Sequence, residues 1–190
     1  ISSVGVHIPK TSSRAITSPS GTADTMEVLA PVDLSVEEIK EVVLKTKGCI
    51  VWGGGTGIAS VDDELIKLRR PLSLDPEGML LASIMAKKYA VGATHVLIDI
   101  PVGERAKVRD MRRAYSLKSG FERLGRKLNM NTKVIITEGS QPIGRGIGPS
   151  LEARDVLWIL MNDKRGPFDL REKAEAMAGI LLEMLGVAKE

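Results

Sequence analysis

Short apolar runs alternate with helical patterns along this chain, and that alternation restricts the fold more than any other feature. Val4–Ile8, Cys49–Trp52, Thr94–Ile100 and Lys133–Thr137 read as short strands, with Pro9 and the Pro101-Val102-Gly103 run as stops. Helical segments lie between and after them. Ser35 and Glu38 form a capping-box pair ahead of the apolar face of Ile39, Val42 and Val43, and Gly48 is the expected stop. Asp75 is placed as an N-cap with Pro76 at the first helical position, opening a helix to about Ala90 that buries Leu80, Leu81, Ile84 and Met85. Arg109–Leu128 reads as a basic helix, and Leu151–Met161 and Asp169–Leu185 as two more. Alternation of this kind predicts an α/β sheet with loops gathered at the strand ends. Ligands then bind beyond the carboxyl ends of the strands.

The stretch Ser12–Glu27 is the least ordinary. Seven of its sixteen residues are Ser or Thr, and Arg14 sits among them. Pro19 and Gly21 break any regular element, and residues 23–29 read as a short helix with Thr22 or Gly21 near its N-cap. Hydroxyls and backbone N–H groups running into a helix start outline an anion site. A solvated surface loop has the same composition, so both readings stand on composition alone. The glycine run Gly53–Gly57 after a strand suits either close approach to a ligand or a flexible turn. It does not meet the dinucleotide-binding pattern.

Composition removes several function classes. At 190 residues the chain can bury a sizeable core. A net charge of +3 suits an anionic substrate without demanding nucleic acid, and 3% aromatics leaves little for a base-stacking surface. Cys49 is alone and only His7 and His95 are present, so neither an internal disulfide nor a metal site is expected. No apolar run approaches a membrane span and no signal peptide opens the chain, which makes the cytoplasm the expected compartment.

The hydroxyl stretch resembles the signature of the thymidine/pyrimidine-nucleoside phosphorylases, roughly S-[GS]-R-[GA]-[LIV]-x-x-[TA]-[GA]-G-T-x-D-x-[LIVM]-E. Ser12, Ser13, Arg14, Ala15, Ile16, Gly21, Thr22, Asp24, Met26 and Glu27 fit it. Pro19 and Ser20 depart from it, and those departures are similar to the archaeal AMP-phosphorylase branch. The resemblance covers nearly all of the chain. The family's chains extend further at both ends, so an internal segment is expected, without the upstream phosphate loop. It implies an α/β fold with a mixed sheet flanked by helices and a cleft facing a smaller helical lobe. Residues 1–71 would be the first part of the α/β lobe, 72–91 a helix of the helical lobe, and 92–190 the continuation of the α/β lobe.

Phosphorolysis needs phosphate held against the sugar C1, a proton for the departing base and an anchored sugar. The resemblance places these roles on particular residues. Ser12 and Thr22 match phosphate-binding positions. Ser13, Arg14, Ala15, Ile16, Thr17 and Ser18, with Thr22, match nucleotide-contacting positions of the AMP-phosphorylase branch. Arg14 is a partner for either the 5′-phosphate or inorganic phosphate. Asp75 matches the proton donor to the base, although its position also suits a plain helix cap. Ser83 matches a base-contacting position, one helical turn before Lys87, and Lys107 matches a nucleotide-binding lysine. The glycines around Arg145 read as structural turns.

The expected activity is therefore phosphorolysis of AMP to adenine and ribose 1,5-bisphosphate. No metal or cofactor is expected, and inorganic phosphate is a co-substrate. The expected partners are AMP or a related nucleoside monophosphate and a second copy of the chain in a dimer or larger homo-oligomer, with no nucleic acid and no membrane. The alternatives are a thymidine or pyrimidine nucleoside phosphorylase and a non-catalytic nucleotide-binding module.

Overall fold

The computed structural model describes residues 1–15, 20–54 and 77–188. The fold is α/β. A single 3-10 turn, Ser2–Val4, precedes strand β1, Ile8–Ser12. Helices α1, Thr22–Glu27, and α2, Val36–Thr46, lead to β2, Gly48–Trp52. Helix α3, Glu77–Ala90, precedes β3, His95–Val102. Helix α4, Met111–Lys127, connects it to β4, Asn131–Glu138, and α5, Pro149–Leu160, and α6, Phe168–Met184, complete the order. Two compact units are present. Unit 1 comprises the described residues up to Gly54 with Ile143–Ala178, and unit 2 comprises those from Glu77 to Pro142 with the described residues from Gly179 onward.

Among the described residues each unit holds one parallel pair of strands, as crossovers through helices require. In unit 1, β1 lies parallel to β2, from Ile8 opposite Gly48 to Ser12 opposite Trp52. In unit 2, β3 lies parallel to β4, from His95 opposite Asn131 to Val102 opposite Glu138. Two strand limits differ from the sequence expectation. The expected strand Val4–Ile8 shares only Ile8 with β1, so Pro9 lies inside a strand instead of ending one, and Pro101 lies inside β3. Among the described residues each of these strands pairs on one side only, and a residue without an N–H is tolerated on such an edge. The capping box of Ser35 and Glu38 forms as expected. The stop of α2 is Lys47, in the left-handed region at φ 65°, and Gly48 is already the first residue of β2.

The core of unit 2 follows from two periodicities. Val96, Ile98 and Ile100 alternate inward along β3, while Ala114, Leu117 and Phe121 share one face of α4. Met85 of α3 joins them and is fully buried. Burial of Leu117 and Phe121 contributes about 1.5–3 kcal/mol each. Close backbone approach occurs beyond the carboxyl ends of both strands. A Cβ on Gly103 would lie 2.5 Å from main-chain atoms of Gly139 and Ser140.

That contrast between rigid and yielding neighbours is measurable. Gly103→Ala meets only main chain and should cost roughly 2–3 kcal/mol. Gly120→Ala, on α4, meets the tip of Leu81 at 2.6 Å, which can turn away. Ala also regains about 1 kcal/mol of helix propensity there. Urea unfolding should rank Gly103→Ala well below Gly120→Ala, with the latter within roughly 1 kcal/mol of the parent. Equal losses would show that Leu81 is held as firmly as backbone.

Candidate functional site

The hydroxyl stretch leaves the carboxyl end of β1. Ser12 is the last residue of β1, its carbonyl accepts from the Gly53 N–H at 2.8 Å, and Trp52 opposite it ends β2. Ser12, Ser13, Arg14, Ala15 and Thr22 are therefore brought together at and beyond the carboxyl ends of two parallel strands. Chain return is close. The Ser13 carbonyl accepts from the Ala23 N–H at 3.3 Å, and a Cβ on Gly21 would sit 2.2 Å from that same oxygen. Only glycine fits there, which is why Gly21, and not a hydroxyl residue, is the N-cap of α1. Thr22 is the first helical residue, so its hydroxyl is not used in capping.

Four carboxylates, Asp24, Glu27, Glu152 and Asp155, hold this region. Asp24, in the first turn of α1, accepts at Oδ2 from the N–H groups of Ala15, at 2.7 Å, and Gly21, at 2.9 Å. Its Oδ1 takes Arg14 Nη1 at 3.2 Å. Arg14 also grips Glu27, with Nη2 to Oε1 at 2.8 Å and Nη1 to Oε2, and its guanidinium lies 4.9 Å from the centre of the Trp52 ring. Glu152, on α5, accepts from the hydroxyls of Ser20, at 2.7 Å, and Thr25, at 2.9 Å, and from the Gly148 N–H at 3.0 Å. Asp155, one turn on and only 2% exposed, accepts from the N–H groups of Arg145 and Gly146, both at 2.7 Å, and from Arg154 at 3.1 Å.

These contacts fix the protonation states. Backbone N–H groups of Gly21 and Ala15 hold the Asp24 carboxyl below the usual range, and the Arg14 side chain does the same for Glu27. Burial acts to raise the pKa of Glu152 and of Asp155. It is outweighed at Glu152 by Ser20, Thr25 and Gly148, and at Asp155 by Arg145, Gly146 and Arg154. The anion-site outline read from sequence is thus partly filled from within, because Asp24 consumes two of the loop's N–H donors. Among the described residues, the hydroxyls of Ser12, Ser13 and Thr22 enter no hydrogen bond. Ser20 and Thr25 are committed to Glu152.

The remaining expected site residues fall elsewhere. Ile16, Thr17, Ser18 and Asp75 lie outside the described residues. Ser83 is half-buried on α3, and Lys107 is exposed in the loop after β3, both in unit 2. Gly103 N–H donates to the Val108 carbonyl at 3.1 Å across the base of that loop. Arg145 and its neighbouring glycines serve turning, as expected: Gly144 and Gly148 adopt φ of 82° and 96°, and the intervening N–H groups close on Asp155. Sequence reasoning assigned no role to Asp24, Glu27, Glu152 or Asp155. The first two were visible as signature positions; the last two lie more than a hundred residues from the loop and carried no local signal. Among the described residues no His, Cys, Asp and Glu group is arranged to hold a metal ion, and no helix is long and apolar enough to cross a membrane.

The fold and the loop define an α/β protein with a hydroxyl-lined loop beyond its strand ends. Comparison with known proteins narrows the class. The chain is 57% identical over 188 residues to "AMP phosphorylase 1" of Archaeoglobus fulgidus, covering 99% of this chain and 37% of that protein. It is 56% identical over 179 residues to "Putative thymidine phosphorylase" of Methylococcus capsulatus, covering 94% of this chain and 35% of that one. "Putative thymidine phosphorylase 2" of an Acidovorax species is 54% identical over 188 residues, again 99% of this chain and 37% of the relative. No protein-family model matches the chain. The relatives support the thymidine/pyrimidine phosphorylase family for the chain, which spans little more than a third of their length.

The carboxylate clamps predict an acid response of known sign. Asp24, Glu152 and Asp155 titrate lower in the folded chain than unfolded, so their contribution is complete above the ordinary carboxylate range. It is lost as pH falls through their folded values. Trp52 and Trp158, the two tryptophans of the chain, both lie in unit 1 and report on it. Their emission should change on acidification below about pH 4. Asp155→Ala leaves the partly buried Arg145 and Gly146 N–H groups without their acceptor and should cost roughly 1–3 kcal/mol at neutral pH, with a correspondingly shallower acid loss. An unchanged neutral stability would show that water satisfies those N–H groups.

Proposed function

We propose that the full-length protein catalyses phosphorolysis of a nucleoside 5′-monophosphate, converting AMP and inorganic phosphate to adenine and ribose 1,5-bisphosphate. The observation that supports it best is the set of hydroxyls of Ser12, Ser13 and Thr22, which enter no hydrogen bond among the described residues, beside Arg14, Ser20, Asp24 and Thr25, which are already paired. Hydroxyl donors of this kind bind phosphate oxygens without adding charge. A phosphate oxygen attacks C1 of the ribose, the bond from C1 to the base nitrogen breaks, and its electron pair leaves with the base. Asp75 gives a proton to a ring nitrogen of that base and so relieves the developing negative charge. In this reading Ser83 contacts the base, and Ser13 to Ser18, Thr22 and Lys107 contact the nucleotide. The reaction uses no metal or redox cofactor. In this reading the enzyme is a cytoplasmic homo-oligomer.

A second reading has its own support, since relatives at 54–56% identity bear the name thymidine phosphorylase. The two differ in the 5′-phosphate. One charge-assisted hydrogen bond to it contributes about 1.5–3 kcal/mol, so the full-length protein should prefer AMP to adenosine by well over tenfold in kcat/KM. The panel to assay is AMP, CMP, UMP, adenosine and thymidine. Equal efficiency on AMP and adenosine would favour the nucleoside reading, and tight AMP binding with no adenine released would favour a non-catalytic module.

The proton donor is tested by separating its acid role from capping. Asn caps a helix about as well as Asp but has no proton to give. Asp75→Asn should keep the melting temperature nearly intact and cut single-turnover release of adenine by roughly 10²–10⁴. AMP binding should change much less, because the loss falls on the transition state. Turnover within threefold of the parent would make Asp75 a cap and place the donor elsewhere.

A further inference from the structure

Arg14 follows Ser12 and Ser13 directly in the chain, and its chemistry invites assignment as a phosphate ligand. Its surroundings argue otherwise. One face of the guanidinium lies on the Trp52 ring at 4.9 Å. Along its edge, Nη1 is shared between Asp24 and Glu27 and Nη2 is bound to Glu27 at 2.8 Å. One cation against two carboxylates leaves the cluster with a net negative charge, which repels an anion at close range. Asp24, the carboxylate common to the cluster, is also the acceptor that closes the loop through Ala15 N–H and Gly21 N–H.

We propose that Arg14 is a positioning residue, locking the base of the hydroxyl loop through Glu27 and Asp24, and is not a ligand to phosphate. Glu27 holds the guanidinium in a two-point grip, Trp52 fixes its plane, and Arg14 then orients the carboxylate of Asp24 toward the two amides. Ser13 and Thr22, on either side of the closed base, are thereby set in register. The order of residue types follows from this geometry. Arg supplies the planar fork, a lysine would supply a point charge, and α1 presents Asp24 and Glu27 three residues apart on one face.

This rests on the proposed function only for the identity of the ligand, so the test has one readout free of activity. Amide hydrogen exchange at Ala15 and Gly21 is measured in the full-length protein and in Arg14→Lys, Glu27→Gln and the double variant. Saturation by inorganic phosphate is measured on the same preparations. A lock predicts that Glu27→Gln, which removes a negative charge, speeds exchange at both amides about tenfold and weakens phosphate saturation as Arg14→Lys does. The double variant should be no worse than the worse single one, as groups acting as a unit require. Exchange in β3 and β4 should be unchanged, which separates loosening from unfolding. Asp24→Asn is the second probe. It keeps a carbonyl for the amides but can turn an amide toward Arg14, and should speed exchange as well. A ligand role predicts that Arg14→Lys weakens phosphate with exchange unaltered and that Glu27→Gln tightens it. That pattern would overturn the proposal. Faster exchange with phosphate saturation unmoved would keep the lock and instead remove phosphate binding from this loop.

Discussion

A carboxylate withdrawn from water must collect hydrogen bonds, and a loop without a ladder must find acceptors for its N–H groups. Unit 1 answers both needs with the same contacts. Asp24, Glu152 and Asp155 together accept from Ala15, Gly21, Gly148, Arg145 and Gly146 main-chain N–H groups. None of these amides belongs to a strand or to a helix interior. A single oxygen serves two amides at Asp24 and at Asp155, which draws segments six and one residues apart onto one point. The loop conformations are therefore set by side chains, and the sheet only decides where the loops begin.

The helix α5 links two of these points. Glu152 and Asp155 lie three residues apart on it, so one faces the hydroxyl loop while the other gathers the glycine-rich turn before the helix. Gly148 serves both purposes: its φ of 96° makes the turn, and its N–H completes the Glu152 cluster. Ser20 and Thr25 look interchangeable with Ser12, Ser13 and Thr22 by residue type. Reach to Glu152 divides them, making the first pair structural and leaving the other three without a hydrogen bond among the described residues.

Legibility in the sequence followed the range of the interaction. Capping by Ser35 and Glu38 was readable because it spans three residues. The strand at Thr94–Ile100 and the helix at Arg109–Leu128 were readable because their signals are local, whereas the inward stripe of Ala114, Leu117 and Phe121 emerged only with the structure. Pro9 and Pro101 misled because a proline stops a central strand and is accepted on a one-sided pair. Lys47 took the left-handed cap that Gly48 was expected to supply, since Gly48 was needed in β2, where a Cβ would meet Ser2 and Ile8. In the candidate site, the hydroxyls stood out by composition. The acceptor that sorts them did not, because Glu152 lies 132 residues from Ser20.

The charge arrangement bears on how such a loop would treat an anion. A site built on free cations gains affinity from long-range attraction and loses it as salt rises. Here the cation beside the hydroxyls is already neutralised twice over, by Asp24 and by Glu27. An anion bound here would meet dipoles: three hydroxyls and whatever main-chain N–H groups Asp24 has not taken. Dipoles act over short distances and need alignment, so their value depends on the loop being held before the ligand arrives. A net negative lock beside neutral donors is then coherent. Under the proposal above it would hold the donors in place and discourage an anion from binding anywhere but within their reach.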